Sequence, residues 1–184
     1  KFAEQYPQVE VELFEGEMDE QIAMLKDNRI DVGIFAAPAP AGFLFIPMQK
    51  DELVVMLPKG HPLCQKPSIS AADLVRYPLL MQHESAAGDL HLIYGSSHLP
   101  VGSKYTIKSD SAIAALVEKG LGVGIISSLL ASSLSADVEI RPFQKSYSRT
   151  LGLVIPQNKG SLPVIHCFVK LMKELYQQIP EQNP

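Results

Sequence analysis

FAEQYPQVEVELFEGEMDEQIAMLKDNRIDVGIF, residues 2–35, is the stretch whose reading decides the fold. Phe2 to Pro7 reads as the last turn of a helix stopped by proline, whose ring and missing N–H cannot continue one. Val9-Glu10-Val11-Glu12-Leu13 alternates apolar and polar residues, the period of a half-buried strand. Asp19 to Lys26 then carries Ile22 and Leu25 at helical spacing, and Asn28 stands where a helix ends through the left-handed conformation that Asn tolerates. Ile30-Asp31-Val32-Gly33-Ile34-Phe35 reads as a second strand. Helix, strand, helix, strand is the beginning of an α/β ligand-binding architecture.

The same alternation runs outward through the chain. Ala37 to Gly42 is a Pro- and Gly-rich loop, and Leu53 to Leu57 is a continuous apolar run of strand length ended by Pro58-Lys59-Gly60. Ser70-Ala71-Ala72-Asp73 is a variant of the capping box. Pro78 to Met81 reads as a buried strand, Ser85 to Tyr94 as a helix and Tyr105 to Ile107 as a short strand. Ser111 to Lys119 places Ile113, Leu116 and Val117 on one helical face, Gly120 caps it, and Val123 to Ile126 continues as a strand. Leu151 to Ile155 is a late strand. The last helix starts near Ser161 with Pro163 in its first turn, and the tail after Pro180 is polar. Alternating helices and strands predict parallel sheets covered on both faces.

Bulk properties narrow the function. The 184 residues suit one large domain or two small lobes, and 46% hydrophobic with 20% charged is an ordinary globular composition. No apolar run approaches the ~18 residues of a membrane span. The formal net charge is −4 and Lys and Arg are scattered, so this segment lacks the clustered cations that phosphate contacts require. Cys64 and Cys167 are far apart and read as free thiols in a reducing, cytoplasmic compartment.

No catalytic or cofactor signature stands out, so the chain is expected to be no enzyme and to need no cofactor. Gly120, Gly122 and Gly124 follow a helix and precede a strand, the reverse of the dinucleotide-binding order, which makes them a helix cap and a site of close packing. The five histidines form no zinc-site spacing. What recurs is a different device. A chain that leaves a strand and opens a helix aims backbone N–H groups into the crevice above the sheet, where they can hold an anion or polar ligand. Glu15 to Asp19, Gln82 to Ser85 and Ser109 to Ser111 are three such places; each also satisfies the requirements of ordinary capping.

The residues Phe2…Tyr6-Pro7…Val11-Glu12-Leu13…Glu15-Gly16, Leu25…Ile30-Asp31-Val32-Gly33-Ile34, Leu53-Val54-Val55…Pro58…His61-Pro62-Leu63, Asp73-Leu74…Pro78-Leu79-Leu80 and Leu116-Val117-Glu118-Lys119-Gly120-Leu121-Gly122-Val123, taken in order, resemble the effector-binding (substrate-binding) domain of LysR-type transcriptional regulators. The resemblance covers nearly the whole chain. It implies an α/β fold of two Rossmann-like lobes joined by two crossover strands, like the type 2 periplasmic-binding proteins. Lobe I would be residues 1–51 plus 147–184 and lobe II residues 52–146. The family pattern opens with a strand that these residues do not contain. The resemblance therefore implies an incomplete lobe I, with Val9–Leu13 and Ile30–Phe35 flanking an open or collapsed position.

The resemblance further implies a small-molecule effector held in the interlobe cleft. Its contacts would be Glu17 and Met18 before the second helix, Ala36 and Ala37 at the next strand end, Gln82, His83 and Ser85 in lobe II, and Ser109, Asp110 and Ser111 at a helix start. Met18 stands where the family often has Ser, Thr or Gly, and Ala36 carries no charge, so the effector is expected to have an apolar part; Met18→Thr should then change its affinity. The implied partners are the effector, a second copy of the chain in a homodimer, a tetramer for the full-length protein, and DNA only through an N-terminal winged helix-turn-helix absent from these residues, with no membrane. The competing function on the same fold is the extracytoplasmic solute-binding protein of a transporter. A helix-turn-helix or a signal peptide upstream of Lys1 would separate the two.

Overall fold

The computed structural model describes residues 1–16, 18–95, 105 and 107–177, and side chains throughout these except at 83–87. The chain divides into two compact units, one of Lys1–Lys50 with Arg149–Pro184, the other of Asp51–Ser148.

Unit 1 contains α1 (Phe2–Gln5), α2 (Met18–Lys26), β1 (Gly33–Ala36), the first part of β2 (Phe43–Pro58), most of β6 (Ser148–Pro156) and α7 (Pro163–Gln177). α1 ends at Tyr6, one residue before Pro7, and Phe2 meets Phe168 of α7 edge-on at 5.2 Å. α2 ends as its sequence demands. Asn28 sits at φ 57°, which lets the Arg29 and Ile30 N–H groups turn back onto the Met24 carbonyl. Ile22 and Leu25 of α2 pack on Phe35 and Val154, forming this unit's small core.

The sheet of unit 1 departs from the sequence reading in two ways. β1 runs antiparallel to β6, with Gly33 opposite Val154 and Ala36 opposite Leu151. Val9–Leu13 is not a strand. Val9 is half-buried and its N–H donates to the Tyr6 carbonyl at 2.9 Å, whereas residues 10–13 are exposed and join no ladder, Leu13 keeping 94% of its surface in water. Alternation supplies side chains for two faces, but a strand exists only where a neighbour takes up its backbone N–H and C=O groups. β1 is paired only with β6 among the described residues and begins at Gly33, three residues later than expected. The expected arrangement of two strands flanking a vacant position is therefore not formed.

Unit 2 holds the remainder of β2, then α3 (Ala71–Leu74), β3 (Leu79–Leu80), α4 (His83–Tyr94), α5 (Asp110–Glu118), β4 (Val123–Ser127), α6 (Ser128–Ala131) and β5 (Val138–Pro142). β3 and β4 are parallel, whereas β2 is antiparallel to both β4 and β5. The sheet is thus mixed, not parallel as the alternation of elements predicted, because β2 enters from the other unit and runs against its neighbours. Tyr105–Ile107 reduces to a parallel bridge between Ile107 and Gln82, and Thr106 lies outside the described residues.

Alternate residues of the strands feed two cores. Val55, Leu57, Leu79, Val123 and Ile125 join Ile69, Leu74 and Phe143 on one face, while Met56, Leu80 and Ile126 join Ile113 and Val117 on the other. A Cβ on Gly122 would collide with the Pro78 carbonyl, and one on Gly124 would press on Met56, Val117 and Ile113 at 3.2–3.3 Å, so these glycines serve close packing. Gly120, at φ 74°, ends α5. The expected polar tail after Pro180 lies outside the described residues.

Candidate functional site

The strand directions of unit 2 gather its helix starts on one edge. β3 and β4 point the same way, and the parallel Gln82–Ile107 bridge adds the segment before α5 to that set. The chain therefore leaves each of these strands on the same side. α4 opens at His83, α5 at Asp110 and α6 at Ser128. This is the carboxyl edge, where open α/β sheets present backbone donors to ligands.

The three starts differ in capping. Ser109 caps α5, its Oγ accepting from the Ala112 N–H at 3.3 Å and lying 3.2 Å from Ser111 Oγ. Ser127 caps α6, accepting from the Leu130 N–H at 3.4 Å. α4 has Gln82 at its cap position with no side-chain cap bond. Gln82 instead turns sideways and donates from Nε2 to the Lys108 carbonyl at 3.1 Å, tying the end of β3 to the approach to α5. A hydroxyl pair and a helix start whose cap residue makes no side-chain cap bond, on one sheet edge, suit an anionic or hydroxylated small molecule.

The predicted contact residues separate by unit. Gln82, Ser109, Asp110 and Ser111 lie on the edge just described, and the backbones of His83 and Ser85 form the first turn of α4. In unit 1, Met18 opens α2 with an exposed side chain. Ala36 ends β1 opposite Leu151, and the Ala37 N–H donates to the Thr150 carbonyl at 2.8 Å. Glu17 lies outside the described residues. The Glu15–Asp19 transition differs from the other two because no strand precedes it; Gln21 Nε2 donates to the Gly16 carbonyl at 2.7 Å and steadies the entry to α2.

Sequence reading missed one polar pair on the carboxyl edge of unit 2. Asp51 is fully buried, and Ser127 Oγ donates to its Oδ1 at 2.6 Å. The signal available was a carboxylate directly ahead of the apolar run Leu53–Leu57; its partner, 76 positions away, could not be read from spacing. Among the described residues no group of three or more His, Cys, Asp or Glu is placed to hold a metal ion, and no helix is long and apolar enough to cross a membrane.

Comparison with known proteins agrees with this architecture. The effector-binding domain of QuiR in complex with shikimate superposes with a TM-score of 0.81, at 20% identity over 97% of this chain and 90% of that one. The BenM effector-binding domain with its effector benzoate gives 0.81, at 16% identity over 100% and 86%. The fold is thus that of the periplasmic-binding-protein-like effector domains. In sequence, residues 1–177 match the LysR substrate binding domain, and the chain belongs to that family. An uncharacterised HTH-type transcriptional regulator, YvbU of Bacillus subtilis (strain 168), is 28% identical over 96% of this chain. The chain spans 61% of that relative's length.

Proposed function

We propose that this chain is the effector-sensing domain of a bacterial LysR-type transcriptional regulator, acting without catalysis and in the cytoplasm. The observation that carries the reading is the match of residues 1–177 to the LysR substrate binding domain. The likeness to a HTH-type regulator supports this reading over that of a transporter's solute-binding protein. Lobes at 1–51 plus 147–184 and at 52–146 belong to the proposal, as do a homodimer, a tetramer of the full-length protein and DNA contact through a winged helix-turn-helix on a longer chain.

In this reading the carboxyl edge of unit 2 supplies Gln82, the first turn of α4 with His83 and Ser85, and the Ser109-Asp110-Ser111 start of α5. Unit 1 supplies Glu17 and Met18 at α2 and Ala36 and Ala37 at the end of β1. The start of α4, where Gln82 makes no side-chain cap bond, favours an effector with a carboxylate or comparable anion, since its N–H groups and dipole favour negative charge. Met18, Ala36 and Ala37 favour an apolar body. An aromatic or alicyclic carboxylic acid combines the two.

Such a ligand regulates only through a difference in affinity between two arrangements of the protein. Thermal-shift measurement against a panel of small carboxylic acids, shikimate and benzoate among them, tests the reading. A true effector at about 100 times its Kd adds about 2.7 kcal/mol of stability. A response unchanged by Ser109→Ala and Gln82→Ala would remove the edge from the proposal.

A further inference from the structure

β2 enters unit 2 at the carboxyl edge just described. It runs antiparallel to β4 with Leu53 opposite Ser127, the last residue of β4, so Asp51 lies at that edge too. The returning chain leaves at the same place, since the Leu53 N–H donates to the Tyr147 carbonyl at 2.8 Å and Ser146 Oγ donates to Glu52 at 3.0 Å. Both strands that link the units therefore meet unit 2 on the same edge, next to the start of α6 at the end of β4.

Asp51, the first residue of unit 2 on the entering strand, is 0% exposed. A carboxyl group withdrawn from water requires hydrogen-bond partners, and Ser127 supplies one. The same Ser127 Oγ accepts from the Leu130 N–H, so one hydroxyl joins the entering strand, the end of β4 and the first turn of α6. An apolar residue at 127 would complete β4 equally well but could make neither bond.

We propose that Asp51 and Ser127 form a positioning pair that fixes the junction strand to the carboxyl edge of unit 2, so that a change at that edge is felt at the crossover. Its link to regulation rests on the reading of that edge as the effector side.

Hydrogen exchange of the ligand-free chain tests this, with Ser127→Ala, Asp51→Asn and the double variant. Loss of this hydrogen bond should raise exchange about fivefold or more at amides 50–53 and 128–131. Amides 79–81 and 113–117, in the core of the same unit, should keep their protection. The double variant should lose clearly less protection than the two single losses summed, because both changes remove the same bond. A loss spread evenly over unit 2, no local change, or strictly additive effects would overturn the proposal. Because no ligand is present, failure here is separate from failure of the effector reading, which the thermal-shift panel reports.

Discussion

The Ser70–Asp73 cap shows how far one residue type at one spacing can be read. The sequence predicts a capping-box variant, and both reciprocal bonds form. Lys66 at 2.6 Å, with the Ser70 hydroxyl and N–H, holds the Asp73 carboxyl down at about 2 against its ordinary 3.8. A depressed acid binds its proton in the unfolded chain first. Its contribution is therefore complete above about pH 4 and is lost as pH falls from 3.8 toward 2. Asp73→Asn should lower stability at pH 6 by about 1 kcal/mol, with the difference from wild type vanishing in acid unfolding at pH 2. Part of that gap should close in high salt, because Lys66 is largely exposed.

His61 carries the opposite charge logic at the same scale. Its Nδ1 accepts from the Leu63 N–H at 3.3 Å, its ring meets Tyr77 at 4.5 Å, and burial pushes its pKa below the usual 6.5. The unfolded chain again takes the proton first, so this contribution is whole above about pH 6.5 and falls as pH drops through the folded value. His61→Gln should flatten the loss of stability that wild type shows on acidification below pH 6.5 in urea titrations. Gly122 gives a steric prediction. Ala there would meet the Pro78 carbonyl, and Gly122→Ala should cost about 1–3 kcal/mol by chemical denaturation.

Among the elements, helices were legible and strand pairing was not. α2, α5 and α7 follow from apolar spacing, and their ends from Asn28, Gly120 and Pro163. These are local properties. Val9–Leu13 has the pattern of a strand and forms none, while β5, Val138–Pro142, is a strand that the pattern did not suggest. Both outcomes depend on which distant strand lies alongside: β5 has β2, with Val54 opposite Pro142, whereas Val9–Leu13 is without a ladder. The direction of β2 is equally non-local, and it turned an expected parallel sheet into a mixed one. The candidate site divides in the same manner. Ser109 as a cap is visible in sequence, but Gln82 reaching Lys108 and Ser127 reaching Asp51 are products of the sheet. Gln82→Ala should free the approach to α5, read as faster hydrogen exchange at residues 108–112 with little change in the thermal midpoint.

At the scale of the whole molecule, the chain belongs to the LysR substrate binding domain family, and the carboxyl edge of unit 2 is the effector side we propose. The net charge of −4, with scattered Lys and Arg, does not favour phosphate contacts by these residues. The most direct measurement is hydrogen exchange with and without the carboxylic acid that gives the largest thermal shift. The ligand is expected to protect amides 83–86 at the start of α4 and 110–112 at the start of α5. Protection confined to other parts of the chain, with both helix starts unchanged at saturation, would contradict it.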